Sequence, residues 1–225
     1  MEIFIRIIAY FVLLFAITIH EAAHGWTANK LGDPTAFHLG RVTLNPIPHI
    51  DPIGTVLMPL MMMFTGIPFF GWAKPVPVNP LNLKNPRKDN LWISAAGPLS
   101  NVIAGTVLLV ILYILRSANP AIRGPLSYMI MGRVPPGGIS PFYGLALLLW
   151  YGTMINFVLA VFNMLPIPPL DGSGVLTGLI SSEKAQIMDQ IRPYGFLIII
   201  GLLFIGFFNV VFRPIQLFMI KIVFG

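Results

Sequence analysis

The chain has 225 residues, 56% of them hydrophobic and only 10% charged, with a mean hydropathy of +0.82 and a formal net charge of +6. Soluble domains carry roughly 25% charged residues, so the composition excludes a soluble enzyme and describes a polytopic membrane protein. The lack of cysteine removes disulfides, thiolate metal sites and thiol nucleophiles. The basic excess is scattered over short loops, which fits a membrane surface and not nucleic acid.

The first apolar run, residues 3–19, has only Arg6 as a basic flank and no small-residue cleavage site. It therefore reads as a transmembrane helix and not as a signal peptide. The helix is expected to continue through His20-Glu21-Ala22-Ala23-His24 to about residue 29, before Gly32-Asp33-Pro34 breaks it. Residues 35–90 are rich in proline and glycine. Within them, 52–70 is apolar but interrupted by Pro59, Gly66 and Pro68, which suits a short helix or a re-entrant excursion better than a span. Better helices follow at 91–115, 142–165 and 194–212, the last trailed by an apolar tail broken at Pro214. A loop containing several Gly and Pro, 116–141, separates the first two of these. If 52–70 does not cross, residues 27–90 share one side of the membrane. That side holds Lys30, Arg41, Lys74, Lys84, Arg87 and Lys88 against Arg116, Arg123 and Arg133 opposite. The positive-inside rule makes it cytoplasmic.

Two histidines four residues apart lie on one helical face and can grip one zinc ion, with Glu21 between them to activate water. Ionisable groups at membrane depth are costly enough to imply a task. A catalytic zinc needs a third protein ligand, and without cysteine it must be His, Asp or Glu. Glu2, Asp33, Asp89, Glu183 and Asp189 stand in polar or terminal surroundings and read as solvated charges. Asp51, Asp171, His38 and His49 remain. Asp171 is the strongest candidate: it follows the proline-stiffened end of the 142–165 helix, at a depth similar to that of the two histidines. The competing role for Asp171 is to cap the next helix, and Asp51 has the same role open to it before Pro52. His38 and His49 read as loop histidines, and the eleven methionines as apolar filler.

His20-Glu21-x-x-His24 in the first long helix, followed by Asn163-x-x-Pro166-x-x-Pro169-x-Asp171-Gly172, resembles the site-2 protease family of intramembrane zinc metalloproteases. Gly97-Pro98-x-x-Asn101 is similar to that family's Gly-Pro-x-x-Asn helix, and 71–79 to its strand-forming segment. The stretches span about residues 16–175. The resemblance implies one zinc ion per chain on His20, His24 and Asp171, catalysis by Glu21, a supporting role for Asn163, and a minimal form without PDZ or CBS modules. The fold class implied is an all-α polytopic membrane protein. Four to six transmembrane helices surround a buried zinc site, with a small β-strand or re-entrant segment between the first two long helices. The whole chain forms one domain, with a catalytic core of about 1–175 and C-terminal helices over about 193–225.

On this reading Glu21 takes a proton from water and returns it to the leaving amine, while the Asn163 amide donates to the oxyanion. For Asn163 the plainer role is an interhelical hydrogen bond, and for Asn156, seven residues earlier, that plainer role is preferred. Pro75 and Pro77 share one strand parity, so the opposite edge keeps the donors of Val76 and Val78 for an extended substrate; a proline-rich surface loop is the alternative. Asn101 is read chiefly as helix packing, with orientation of substrate or a loop as a further role. The partners implied are the lipid bilayer and transmembrane-helix substrates. A cation transporter or channel with intramembrane His, Glu and Asp ligands is the alternative function, but internal repeats of the kind common in transporters are absent.

Overall fold

The computed structural model describes residues 2–65, 71–119, 126–128 and 141–224. Most of the expected 116–141 loop and the end of the 52–70 stretch lie outside them. Among the described residues, five helices are long and apolar enough to cross a membrane: Ile5–Lys30, Pro86–Ala118, Gly144–Asn163, Ser182–Phe204 and Phe207–Phe224. The protein is thus a multi-pass membrane protein, within the expected number of spans.

Helix α1 (Glu2–Lys30) ends where Gly32 adopts a φ of 111°, and a short α2 (Thr35–His38) follows. Asp51 opens the next apolar segment as an N-cap, its carboxylate accepting from the backbone N–H groups of Ile53 (3.0 Å) and Gly54 (2.7 Å). A π-helical turn over Pro52–Leu57 then runs into α3 (Met58–Thr65). At about 1.5 Å per residue the pair extends roughly 21 Å, short of a hydrocarbon core of about 30 Å. Its first turn rests on Trp72: a Cβ on Gly54 would lie 2.5 Å from that side chain, and the Thr55 hydroxyl donates to the Trp72 carbonyl.

The long α4 (Pro86–Ala118) begins five residues before the apolar window. Pro86 suits the first helical position, and the Asp89 carboxylate accepts from the Asn85 N–H at 2.8 Å. Asp89, expected to be a solvated charge, is therefore buried. Helix α4 runs antiparallel to α1 and to α5 (Pro141–Asn163), and it is the element both of them touch most. The largest apolar cluster joins Leu109 and Leu112 of α4 to Leu149, Trp150 and Met154 of α5, and to Met219 and Val223 near the C-terminus.

After α5 a proline-rich turn leads into the short α6 (Asp171–Leu179), then α7 (Ser182–Ile191), α8 (Gly195–Phe204) and α9 (Phe207–Phe224). The expected break at Pro214 is absent. Helix α9 runs through Pro214, and the chain breaks instead at Gly206, whose φ of 77° is a left-handed conformation that glycine adopts without steric cost.

The expected β-strand does not form: no strand occurs among the described residues. Residues 71–79 are extended but have no second strand to pair with. They are strapped down instead by separate hydrogen bonds. Lys74 N–H donates to the His49 carbonyl (3.0 Å), Arg41 donates to the Lys74 carbonyl (2.5 Å), and Asn79 N–H donates to Asp33 (2.7 Å).

Candidate metal centre

Helical spacing brings His20 and His24 to the inner face of α1, where both are buried, with ring centroids 4.6 Å apart. The third group arrives through glycine contacts. A Cβ on Gly172 would lie 2.2 Å from the Met164 carbonyl oxygen, so only glycine lets α6 fold back against the end of α5. On α6, Gly174 and Gly178 leave no room between its backbone and Ser94 and Leu91 of α4. Arg87 grips the far end, donating to the Thr177 carbonyl and the Ser182 hydroxyl at 2.8 Å each. Seated this way, the first residue of α6 presents Asp171 to the histidines. His20 Nε2 lies 2.9 Å from Asp171 Oδ2, and His24 Nε2 lies 3.3 Å from Oδ1. The competing cap role for Asp171 is not taken up: the N-cap of α6 is Leu170.

The three side chains form a group whose ligand atoms all lie within 4.8 Å of one another. Their protonation tests whether a metal fits. His24 Nδ1 is 2.6 Å from the Ile93 carbonyl oxygen, which can only accept, so that nitrogen carries a proton, and in the neutral ring Nε2 is left bare. His20 Nδ1 is 2.6 Å from Asn101 Oδ1, with the same consequence. With both rings neutral, two bare Nε2 atoms face two carboxylate oxygens, acceptor against acceptor. Asp171 Oδ2 accordingly finds no hydrogen-bond donor among the described residues, although it is buried and only 2.9 Å from His20. Such an arrangement calls for a cation in the middle. Ligand atoms of a tetrahedral zinc with bonds of about 2.0–2.1 Å sit roughly 3.3 Å apart, close to the separations here. The residues fit zinc. Helix α4 shapes the remaining wall, since a Cβ on Gly97 would lie 2.5 Å from His24 Nε2 and 2.6 Å from His20 Nε2.

Glu21 stands outside this trio. Its carboxylate accepts a 2.9 Å hydrogen bond from the Val76 N–H, the only backbone donor between Pro75 and Pro77. Val76 thus meets Glu21 itself, and one of the two donors expected on a free edge is already engaged. Val78 packs against the cluster of Ala28, Leu83 and Ile93. Asn101 is fully buried beside His20 and presents no open face. Asn163 is half-buried, and its amide donates to the Leu159 carbonyl of its own helix at 3.0 Å. His38 is exposed, and His49 is buried against the Thr43 carbonyl; neither joins the cluster. Burial pushes the His49 imidazole below its ordinary value, with Arg41 adding to the effect.

Asp33, expected to be solvated, is fully buried. It accepts from Thr35 N–H and hydroxyl, the Asn79 N–H and the Asn82 amide. Burial alone would raise its pKa, but these donors outweigh it and hold the carboxyl below the usual value. Asp33 was legible only as a helix breaker and a solvated charge, and Gly97 only as a packing residue. The contacts of each are with residues distant in sequence.

The family model described as peptidase family M50 matches residues 8–206. The chain belongs to that family. It is 36% identical over 190 residues to YwhC of Bacillus subtilis (strain 168), covering 84% of this chain and 77% of that protein. It is 28% identical over 202 residues to Rip2 of Mycolicibacterium smegmatis, covering 89% and 67%. Both relatives carry provisional names as zinc metalloproteases. No solved structure matches at comparable significance. The protein is a membrane metalloprotease of the M50, or site-2 protease, family, and a cation transporter is not favoured.

Proposed function

We propose that this peptidase hydrolyses peptide bonds within or beside transmembrane segments, at one zinc per chain held by His20, His24 and Asp171. The observation that carries the reading is the convergence of two imidazole nitrogens on a half-buried carboxylate, with Glu21 next in sequence to one of them. Zinc, when bound, supplies Lewis acidity that polarises a carbonyl and lowers the pKa of water toward about 7. Glu21 is the general base, accepting the proton of the attacking water and delivering one to the leaving amine. The Val76 N–H holds its carboxylate in place while leaving the second oxygen for that transfer. Asn163 has two amide hydrogens and donates one to Leu159; the other is available to a developing oxyanion. A helical substrate has to unwind, and Val78, on the same edge of the extended backbone as Val76, carries the adjacent donor for it. Asn101 serves His20 and does not contact substrate.

The active site faces the cytoplasm on this reading, because residues 27–90 carry six basic residues against the three, Arg116, Arg123 and Arg133, on the opposite side. The whole chain acts as one metalloprotease domain.

The test is Glu21→Gln against wild type, with zinc content and cleavage of a transmembrane model peptide measured together in detergent. Retained zinc with cleavage reduced by about 10²–10⁴-fold is expected; equal cleavage by the two proteins ends the assignment.

A further inference from the structure

Polar side chains inside an apolar three-helix core require a reason, and α4 and α5 bury two of them face to face. Asn101 and Asn156 are 0% and 3% exposed. Asn101 Nδ2 donates to the Ala16 carbonyl at 3.0 Å and to Asn156 Oδ1 at 2.8 Å, while Asn156 Nδ2 donates to the Gly152 carbonyl at 2.8 Å. The chain of bonds has a fixed direction. A carbonyl oxygen can only accept, so Gly152 forces the nitrogen end of Asn156 toward itself and the oxygen end toward Asn101. That oxygen, together with the Ala16 carbonyl, fixes the nitrogen end of Asn101. The oxygen end of Asn101 is left facing His20 Nδ1 at 2.6 Å. His20 must then donate from Nδ1, so that its neutral ring keeps Nε2 bare in the orientation that points at Asp171.

We propose that Asn156 is a positioning residue for the metal centre, acting through Asn101 to hold His20 in the tautomer that can ligate a metal. This rests on the zinc reading above. If the order were reversed, with the amide nitrogen of Asn101 facing the ring, His20 would carry its proton on Nε2 and could not coordinate. Helix α5 supplies none of the three ligands, yet through this relay it sets the state of one. Groups that orient a ligating histidine typically alter metal affinity by about 10–100-fold when removed. Asn101→Leu, which strips His20 of its direct acceptor, is expected toward the upper end of that range. Asn156→Leu leaves Ala16 still holding Asn101 and is expected near the lower end, about tenfold.

The experiment uses full-length protein in detergent with three variants, Asn101→Leu, Asn156→Leu and Asn156→Ser. A serine hydroxyl can donate to the carbonyl four residues back and still accept, so it preserves the direction of the relay. Zinc dissociation constants are measured by chelator competition. The histidine tautomers are read from nitrogen NMR of metal-free, histidine-labelled protein in buffer alkaline enough that no imidazolium signal remains, with His20 assigned by loss of its signal in His20→Gln. The expected result is a proton on Nδ1 of His20 in wild type and Asn156→Ser. Asn156→Leu should shift the ring toward Nε2–H and weaken zinc binding, and Asn101→Leu should do both more strongly. Unchanged zinc affinity and tautomer in Asn156→Leu would overturn the proposal, as would equal losses in the Ser and Leu variants. A proton on Nε2 in the wild type overturns it without any variant. The spectrum decides the relay even if wild type binds no zinc, an outcome that would refute the zinc reading separately.

Discussion

Gly97→Ala adds one methyl group at the point where α4 comes nearest the paired histidines. The new Cβ would lie 2.5 Å from His24 Nε2 and 2.6 Å from His20 Nε2, whereas ordinary van der Waals contact begins at 3.4 Å. The rings must therefore give way by about 0.9 Å, against a tolerance of about 0.2 Å in a metal–ligand bond. They have little freedom to do so, because Ile93 and Asn101 clamp both rings through Nδ1 at 2.6 Å. The helix itself should tolerate the change, since alanine is favoured over glycine in a helix interior by about 1 kcal/mol. The expected outcome is a protein that still folds but binds zinc about 10–100-fold more weakly, by the scale of lost ligand orientation. Gly144→Ala, with nothing within 4 Å of the added atom, is the control. Zinc content by elemental analysis, chelator competition and thermal melting make the assay. Wild-type zinc affinity in Gly97→Ala would refute the placement of α4 against the ligands.

Asp171→Ala should abolish zinc binding. Asp51→Ala should keep it and lose only its cap, worth about 0.5–2 kcal/mol, as zinc content and melting temperature would reveal. Val76→Pro removes the donor to Glu21 without touching a ligand, so zinc should stay while cleavage falls roughly tenfold, the scale of one hydrogen bond to a charged group; Val76→Ala keeps the N–H and should behave like wild type. Asp33 has a folded pKa below its unfolded value of 3.8. Its contribution is therefore complete above that pH and is lost as pH falls through the folded pKa. In acid the melting temperature of wild type should drop toward that of Asp33→Asn, and a gap that widened with acidity would contradict the sign.

The parts of the site that could be read from sequence are those set by local geometry or by scarcity. The histidine pair needs only the period of a helix, and Asp171 emerged because few carboxylates sit at membrane depth. The strand at 74–78 could not be settled that way, since a strand is defined by its partner, and here hydrogen bonds from Arg41 and to His49, Glu21 and Asp33 take its place. Asp33 was misjudged for a similar reason. Two of its donor residues, Asn79 and Asn82, come from a turn 46 and 49 positions away. Asn101 lies 81 positions from His20, and nothing local marks it as that ring's partner. At the C-terminal end two local signals competed: Pro214 looked the stronger helix breaker, but a proline costs a helix one hydrogen bond, whereas Gly206 reverses the sign of φ.

Helix α4, which contributes no ligand, does most to define the centre. Ile93, Gly97 and Asn101 recur every four residues of α4 and so form one stripe. The stripe offers a carbonyl to His24, bare backbone to both rings and a carboxamide to His20. One position on from Ile93, Ser94 meets Gly174 of α6, the helix that begins with Asp171. Every ligand is therefore registered against the same rigid element, and a one-residue slip of α4 would displace all of these contacts together. An error in any one ligand position alone would require a ring or carboxylate to leave its clamp, whereas a shift of α4 would move the whole set. Metal affinity should on this account respond more steeply to changes along the 93–97–101 stripe than to equal changes of volume on the opposite, lipid-facing side, at Ile103 or Val107, which are 65% and 53% exposed.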